Sequence, residues 1–427
     1  MESEMEFLQC HFNWDLETSR SRLLNLRDKL EDIGTETGNR WLGHIYNLWG
    51  FIQFKLEEYE DAKRLFNKAA EAFSELRHAD EGPWLVVNYG NLAWLHHHLR
   101  EHAESQDYLS KVDALMEKYP SPSQSELHPE IYAEKAWTLM NFGEDKNLVT
   151  FYFQEAIRMQ PDMVEWNTSH VLNLVDKHSP TGVDTDLLEK MRAAKEQDPE
   201  NLYLVGIYLE QLAKKGENFE YEAVQLAKKV SMNPVSSYSG LRVVLRFYRN
   251  HVSADEAIGF AERALNKHPE ERYLKRCVAV CYKWKIIYSG ESCPQQSTWD
   301  RAISLHEELL SLYPHSNLMK KIDLASICAK TSDSKEKAEQ IYQELLLSDL
   351  DAADKQMLYN HYAYHLYYDQ QNSRGSIQYH MKAAEIAHQS FYRDSSINCL
   401  RRIKDRNRHT MCPEIGEFLR SLSEAVS

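Results

Sequence analysis

The stretch from Gly240 to Lys285 reads GLRVVLRFYRNHVSADEAIGFAERALNKHPEERYLKRCVAVCYKWK. Within it, Ala257, Ala261 and Ala264 fall at helical spacing, and Pro269 follows five residues after the last of them. In a tetratricopeptide repeat, two helices spanning about 34 residues pack through small side chains, and a proline often ends the unit. The stretch therefore predicts one such helix pair, with a second helix ending before Pro269.

The same spacings recur along the chain. Gly50 precedes Ala62 by twelve residues, and Ala93 precedes Ser105 by twelve. The five-residue step to a proline is repeated at Ala156 to Pro161 and at Leu309 to Pro314. Because these matches succeed one another at the repeat period, we expect an all-α tetratricopeptide-repeat superhelix, an α-solenoid of about eight helix pairs.

Three Pro- or Gly-containing breaks, at 120–129, 177–184 and 289–298, interrupt the period and predict loops. We expect three parts: N-terminal repeats over 1–180, central repeats that carry a basic groove over 181–330, and C-terminal repeats with basic terminal helices over 331–427. Stacked repeats are lined on their inner wall mainly by the first helix of each pair.

Composition narrows the class of protein. The chain has 427 residues and a net charge of −15, and its seven cysteines include no CxxC pair, which suits a reducing compartment. The acidic N-terminus has no apolar core typical of a secretory signal, and no run approaches the ~20 apolar residues of a membrane span. We therefore expect a cytoplasmic protein without membrane contact.

The charge is strongly polarised. The Gly240 to Lys285 stretch has ten basic and five acidic residues, and Phe391 to Arg408 has six basic and two acidic residues. These two segments carry net charges of +5 and +4, which leaves −24 on the rest of the chain. Such a distribution indicates local basic sites within an acidic shell, and a polyanion such as nucleic acid is the first ligand to consider.

Two rows of cations share helix faces within the stretch. Arg242, Arg246 and Arg249 lie at i, i+4 and i+7. Arg272, Arg276 and Lys283 lie at i, i+4 and i+11, with Lys275 beside them. If both rows belong to first helices, they should lie next to each other on the inner wall. The alternative is that they are solvated faces paired with acidic residues of neighbouring helices, which would contribute little to stability.

No motif of catalysis, metal binding or cofactor binding is present. The chain has no GxxxxGK[ST], GxSxG or HExxH sequence. His98 with His102, and Cys277 with Cys281, each offer only two ligands on one helix, and a zinc site needs about four. We expect a binding protein that is not an enzyme and holds neither a metal nor a cofactor.

Four segments carry a resemblance to a known family, and they spread over nearly the whole chain. They are CHFNW at 10–14, YGNLAW at 89–94, KAWTL at 135–139 and LRVVLRFYR at 241–249. In these segments the sequence resembles the vertebrate interferon-induced proteins with tetratricopeptide repeats. The resemblance implies antiviral RNA binding in a basic groove, with capture of a 5′ triphosphate or cap in several members.

The resemblance also implies roles for individual residues. It places the family's basic triplet at Arg242, Arg246 and Arg249, and a tryptophan able to stack on a cap base at Trp137. The family's two aromatic positions fall on Ser239 and Val243, which leaves Tyr238 or Tyr248 as substitutes. Its His-Gln pair becomes Arg276-Cys277, its lysine becomes Asn141, and a further arginine falls on Asp176 or Lys177. We therefore expect backbone-dominated RNA binding with little contribution from a 5′ triphosphate.

Two hypotheses follow from these residues. The first is an RNA-binding protein that holds single-stranded or duplex RNA on the wall formed by Arg242, Arg246, Arg249, Arg272, Lys275, Arg276 and Lys283, with Trp137. It would block translation or replication of viral RNA. The second is an adaptor of innate immune signalling that binds homologous repeat proteins or itself without touching RNA.

Overall fold

A computed structural model describes residues 2–33, 39–78, 81–123, 126–143, 145–178, 182–217, 219–236, 239–288 and 294–424. Within these ranges the chain forms helices joined by short turns, and no strand is found. The chain divides into two compact units: Met1–Ser253 with Asn266–Leu274, and Ala254–Leu265 with Lys275–Ser427. The predicted three-part division stays a prediction.

The first unit contains thirteen α-helices in its described part, besides a 3-10 turn at His11–Asn13 and the first residues of a later helix. They are α1 (Glu2–Met5), α2 (Arg20–Ile33), α3 (Leu42–Lys55), α4 (Tyr59–Arg77), α5 (Leu85–His98), α6 (His102–Lys118), α7 (Pro129–Phe142), α8 (Lys146–Met159), α9 (Val164–His178), α10 (Thr185–Gln197), α11 (Leu202–Lys214), α12 (Glu220–Val230) and α13 (Leu241–His251).

The remaining helices belong mostly to the second unit. They are α14 (Ala254–Lys267), α15 (Arg272–Tyr288), α16 (Gln296–Leu312), α17 (Leu318–Cys328), α18 (Lys335–Leu346), α19 (Ala352–Tyr368), α20 (Ser373–Glu385), α21 (Phe391–Arg406) and α22 (Cys412–Glu424). A 3-10 turn at Ser332–Ser334 precedes α18. The end of α14 and the first turn of α15 fall in the first unit.

Consecutive helices pack in pairs. Within the described chain, eight of the contacts between consecutive helices fall at the register of a repeat pair: α3 with α4, α5 with α6, α7 with α8, α9 with α10, α11 with α12, α17 with α18, α19 with α20, and α21 with α22. The predicted all-α fold with about eight helix pairs is confirmed.

Small residues explain why the paired helices approach closely. A Cβ atom built on Gly50 of α3 would lie 2.6 Å from the Phe66 ring of α4, so only glycine fits there. In the next pair, the Ser105 hydroxyl donates to the carbonyl of Ala93 at 3.0 Å. The twelve-residue spacing read from the sequence is therefore the contact between the two helices of a pair.

The motifs that carry the family resemblance meet in one buried network of the first unit. A His11 ring nitrogen lies 3.0 Å from the Asn91 amide, and the other lies 3.2 Å from the Thr138 hydroxyl. Burial lowers the pKa of His11 to about 3. These three residues come from three of the quoted segments, so part of the family signature is core packing.

The backbone conformation of one glycine sets the start of α13. Gly240 adopts a left-handed conformation at φ 79°, and α13 begins directly after it at Leu241. Of the described helices, none is both long and apolar enough to span a bilayer.

Candidate nucleic-acid interface

A recess in the first unit brings together side chains from α2, α7, α11 and α13. We define the recess by Lys29, Asn141, Tyr203, Arg242 and Arg246. The Lys29 ammonium donates to the Asn141 side-chain carbonyl at 2.9 Å, which ties α2 to the end of α7. Of these helices, α7 and α11 are the first members of their pairs, the helices expected to line the inner wall.

The pKa of Lys29 indicates that surrounding protein partly encloses its ammonium group. Its side chain keeps solvent access, yet desolvation by surrounding protein lowers its pKa. Repulsion from Arg242 lowers the pKa further, and attraction to Asp176 partly offsets it. An exposed cation that is nonetheless desolvated and faces a second cation is the environment that an anion would stabilise.

Tyr203 on α11 is close to some of the same charged groups as Lys29. Its ring is 37% exposed, yet desolvation raises the pKa of its hydroxyl. Arg246 and Arg242 oppose this shift, and Glu210 and Asp176 reinforce it. One exposed aromatic ring thus lies among two guanidinium groups and two carboxylates, a mixture able to contact both a base and a phosphate.

A cavity of about 270 Å³ opens between α9, α11 and α13. Its lining includes Lys214 and Gln211 from α11, and Arg246, Asn250 and His251 from α13. Gln211 is 3% exposed, and its side-chain carbonyl has no hydrogen-bond partner among the described residues. An unsatisfied buried acceptor of this kind costs about 1–3 kcal/mol unless a water or a ligand donates to it.

The first predicted row is only partly available to a ligand. Arg242 is exposed, and no ion pair or hydrogen bond of its side chain is found within the described ranges. Arg246 instead makes a two-pronged bridge to Glu210, with N–O distances of 2.5 and 2.6 Å. Arg249 is half-buried in the last turn of α13. Attraction to Glu210 outweighs desolvation and raises the pKa of Arg246.

The second predicted row is largely committed to ion pairs. Arg272 bridges to α2, where it lies 3.1 Å from an Asp32 oxygen, 3.0 Å from Glu31 and 3.8 Å from Asp28. In the second unit Lys275 pairs with Glu308 at 2.7 Å and Lys283 with Asp323 at 2.5 Å. The Arg276 guanidinium lies 5.9 Å from the centre of the Tyr313 ring. Paired cations bind phosphate more weakly, because the ligand must compete with the carboxylate.

The two rows belong to different units except for Arg272. Their predicted arrangement side by side stays a prediction, as does the RNA-contacting role of each residue.

Trp137 is packed inside the first unit. It is 6% exposed, and its ring stacks on Trp41 with centres 5.3 Å apart and planes 13° from parallel. Its backbone carbonyl accepts from Asn141, which in turn contacts Lys29. Stacking of Trp137 on a cap base stays a prediction, and it requires more of the ring to be uncovered.

The structure also shows the burial and contacts of several positions at which the sequence departs from the family pattern. Ser239 is 7% exposed and donates to the carbonyl of Ser236 at 2.6 Å, and Val243 is 2% exposed and packs on Gly206. Tyr248 is half-buried on α13, whereas Tyr238 and the Lys177 side chain lie outside the described residues. The Asp176 carboxylate pairs with Lys146 at the rim.

Sequence reasoning missed Tyr203, Lys214 and Gln211. The signal was present, since Tyr203, Ile207, Glu210 and Lys214 repeat the 4-3-4 spacing of one helix face on α11. The row was overlooked because it mixes an aromatic, an aliphatic, an acidic and a basic residue. Across the described chain, no group of three or more His, Cys, Asp or Glu residues could hold a metal ion.

The fold and these sites define a tetratricopeptide-repeat α-solenoid with a polar recess in its first unit. The Tetratricopeptide repeat family model matches residues 41–118, which form α3 to α6.

Comparison with curated proteins confirms the predicted resemblance to the interferon-induced proteins with tetratricopeptide repeats. The chain is 24% identical to the human Antiviral innate immune response effector IFIT1, over 94% of this chain and 87% of the relative. It is 26% identical to the human Interferon-induced protein with tetratricopeptide repeats 2, over 95% and 85% of the two chains.

Solved structures of human IFIT1 share the fold. A monomeric mutant with Gppp-AAAA superposes with a TM-score of 0.72 at 23% identity, covering 100% of this chain and 96% of that one. A dimer with m7Gppp-AAAA also gives 0.72 at 23% identity, covering 99% and 95%.

Proposed function

We propose that this chain is an interferon-induced antiviral protein of the cytoplasm that holds viral or non-self RNA in the recess and blocks its translation or replication. It acts by binding and not as an enzyme. The RNA is single-stranded or duplex, and its phosphates meet Lys29 and Arg242.

One observation carries this proposal: Lys29 and Arg242 are both solvent-accessible and near enough for their charges to repel, and the surrounding protein desolvates Lys29. Arg242 lowers the pKa of Lys29, so the two groups repel each other when both are charged. A phosphate between them replaces repulsion by two attractions, and each charged contact contributes about 1.5–3 kcal/mol. The exposed ring of Tyr203 beside them offers a surface on which a base can stack.

The relatives support the same ligand class. Human IFIT1 has been solved with m7Gppp-AAAA and, in another dimer, with PPP-AAAA. We extend from these proteins to the present chain the binding of RNA and the pairing with itself or with homologous repeat proteins. The adaptor hypothesis has one observation on its side, the ion pairs of Arg246, Arg272, Lys275 and Lys283. It leaves Lys29 and Arg242 without a role.

A charge reversal on α2 tests the proposal. Electrophoretic mobility shift with one single-stranded 5′-hydroxyl RNA compares the wild type with Lys29→Glu and Arg20→Glu. Arg20 is exposed on the same helix, nine residues earlier, and therefore points to the opposite side. We expect Lys29→Glu to weaken binding at least tenfold and Arg20→Glu to leave it unchanged. Equal affinities of all three proteins would contradict binding in the recess.

A further inference from the structure

The end of α21 carries a dense run of cations in the second unit. We define the C-terminal basic surface as Arg401, Arg402, Lys404, Arg406 and Arg408, all of them exposed. Arg401 to Arg406 occupy about 8 Å of helix axis, and Asp405 is the one carboxylate within the run. This is a high positive charge density on a chain of net charge −15.

These cations differ from most cations of the predicted central wall in having no carboxylate partner among the described residues. Arg246, Lys275 and Lys283 each bridge to an acid, whereas no ion pair is found for any member of the C-terminal basic surface in the part of the chain that the structure describes. A phosphate binding there displaces water and counterions and no internal bridge, which favours association.

Compensation of the helix dipole does not account for the run. Cations near a helix C-terminus gain about 0.3–1 kcal/mol each, and the effect fades beyond the last turn. Lys404 and Arg406 lie in the last turn of α21. Arg401 precedes that turn, and Arg408 lies beyond the helix, so neither gains much from the dipole.

Exposed tyrosines lie beside the same surface. Helix α19 runs alongside α21 in the same direction, because Gln356 accepts from Ser390 at 2.5 Å and the Asn360 amide donates to Ser396 at 2.8 Å. The Tyr364 hydroxyl, one turn further along α19, lies 3.1 Å from the Ser395 hydroxyl of α21.

One further helical turn brings the end of α19 level with the start of the basic run. Tyr367 and Tyr368 are 48% and 65% exposed there, and Tyr368 lies beside Tyr364 with their ring centres 6.2 Å apart. Aromatic rings next to unpaired cations are the combination that binds single-stranded nucleic acid, through stacking and phosphate contacts together.

We infer that the C-terminal basic surface, with Tyr367 and Tyr368, is a second RNA-binding site that takes the backbone and bases of single-stranded RNA independently of the recess. The tyrosines favour RNA over an acidic peptide, because every base offers a face for stacking. The site reads no particular sequence, since its contacts are phosphates and ring faces. This inference goes beyond the proposed function and shares with it only the class of ligand.

The test is fluorescence anisotropy with a short single-stranded 5′-hydroxyl RNA at low salt, on the full chain. Four proteins are compared: wild type, a recess variant (Lys29→Glu with Arg242→Glu), a C-terminal variant (Arg401→Glu, Arg402→Glu and Lys404→Glu), and the combination. A scattered control adds to the recess variant the same number of reversals at other exposed cations of the second unit: Arg263→Glu, Lys335→Glu and Lys382→Glu.

We expect the combined variant to bind at least tenfold more weakly than the recess variant that carries the scattered changes, with a slope of log affinity against log salt that is shallower by about 2 for three lost contacts. We expect the recess variant to retain binding that the combined variant loses. Loss in the recess variant alone would overturn this second site and leave the proposed function intact. Loss in the C-terminal variant alone would do the reverse, and absence of RNA binding by the wild type would overturn both.

If the charge reversals in the C-terminal variant unfold the end of α21, changes at Tyr368 provide a second test of the site. In the recess variant, Tyr368→Ala should weaken the remaining binding about tenfold, whereas Tyr368→Phe should leave it unchanged, because stacking needs the ring and not the hydroxyl. An anionic membrane is the rival ligand. Sedimentation with phosphatidylserine vesicles that depends on the C-terminal cations, combined with unchanged RNA affinity of the C-terminal variant, would overturn the assignment to RNA.

Discussion

At the scale of single residues, the recess holds fewer cations than the family pattern implies. Asn141 stands where that pattern has a lysine, and Asp176 is an acid paired with Lys146. Lys29 supplies one charge at this end, through its contact with Asn141. The local potential is therefore positive at Lys29 and Arg242 and negative at Asp176.

This arrangement predicts a weak contribution from a 5′ triphosphate. A triphosphate adds several negative charges close to Asp176, so attraction to Lys29 is partly cancelled by repulsion from the carboxylate. Competition binding with one RNA sequence bearing triphosphate, cap or hydroxyl at its 5′ end should give affinities within about tenfold of each other. A hundredfold preference for triphosphate would contradict this prediction. Asp176→Asn should raise affinity for the triphosphate form selectively.

A second residue-scale prediction concerns a buried carboxyl group of the first unit. Burial raises the pKa of Glu134 to about 8, although a hydrogen bond from Asn47 at 2.8 Å opposes the shift. Its folded pKa lies above the model-peptide value of about 4.3. The folded state therefore binds this proton more tightly than the unfolded state does, and the associated stability is lost progressively as pH rises from about 4.3 to about 8 and changes little above that.

Glu134→Gln removes that titration, and the glutamine side-chain oxygen can still accept the hydrogen bond from Asn47. Chemical denaturation at several pH values between about 5 and 8 should show the wild-type free energy of unfolding falling with pH more steeply than that of the variant. The difference in slope should approach 1.4 kcal/mol per pH unit at most. Parallel slopes for the two proteins would mean that Glu134 is ionised in the fold at neutral pH.

At the scale of elements, Arg272 explains how α2 is held. Asp28 and Asp32 of α2 are 6% and 4% exposed, and the Arg272 guanidinium at the start of α15 lies close to both. This bridge joins two elements 240 residues apart in sequence, and it holds the helix that carries Lys29. Arg272 thus supports the recess in addition to any contact with RNA.

Removing that bridge should destabilise the first unit. Arg272→Ala leaves two buried carboxylates without their guanidinium partner, and breaking a buried pair on one side costs about 3–5 kcal/mol. Because Arg272 keeps some solvent access, we expect about 2–4 kcal/mol, measured by denaturant unfolding, and faster hydrogen exchange in α2. Lys267→Ala, an exposed cation nearby in sequence, is the control. Equal stability of both variants would show that α2 is held by its apolar face alone.

The elements also show what the sequence could predict. Local spacing indicated the helix pairs, because the small residues that let two helices approach are twelve positions apart, as at Gly50 and Ala62. It could not indicate that Arg246 faces Glu210 or that Arg272 faces Asp32, since those acids lie 36 and 240 residues away. Rows of like charge along a helix are visible in sequence, whereas their partners depend on tertiary packing.

At the scale of the whole molecule, positive charge is concentrated on a chain that is otherwise acidic. The residues outside the two basic segments carry a net charge of −24. An acidic surface repels polyanions except where cations are concentrated, so RNA should be directed to those places at the ionic strength of the cell. Non-specific coating by nucleic acid is correspondingly disfavoured.

A charge-reversal test of RNA binding should leave Arg246 unchanged, because Arg246 is bridged to Glu210. Glu at position 246 would face the nearly buried Glu210, so loss of binding in a variant changing the whole first row would mix misfolding with lost contacts. Arg242 is exposed and has no such partner within the described ranges. Glu also forms helix nearly as well as Arg, so α13 should stay intact in Arg242→Glu.

The most direct test of RNA binding in the recess is the salt dependence of affinity for one single-stranded RNA, measured on the wild type and on Arg242→Glu. We expect the variant to bind more weakly, with a slope of log affinity against log salt that is shallower by about 0.7 for the lost phosphate contact. Arg20→Glu should reproduce the wild-type slope. An unchanged slope and affinity in Arg242→Glu, with a normal helical circular dichroism spectrum, would contradict RNA binding in the recess.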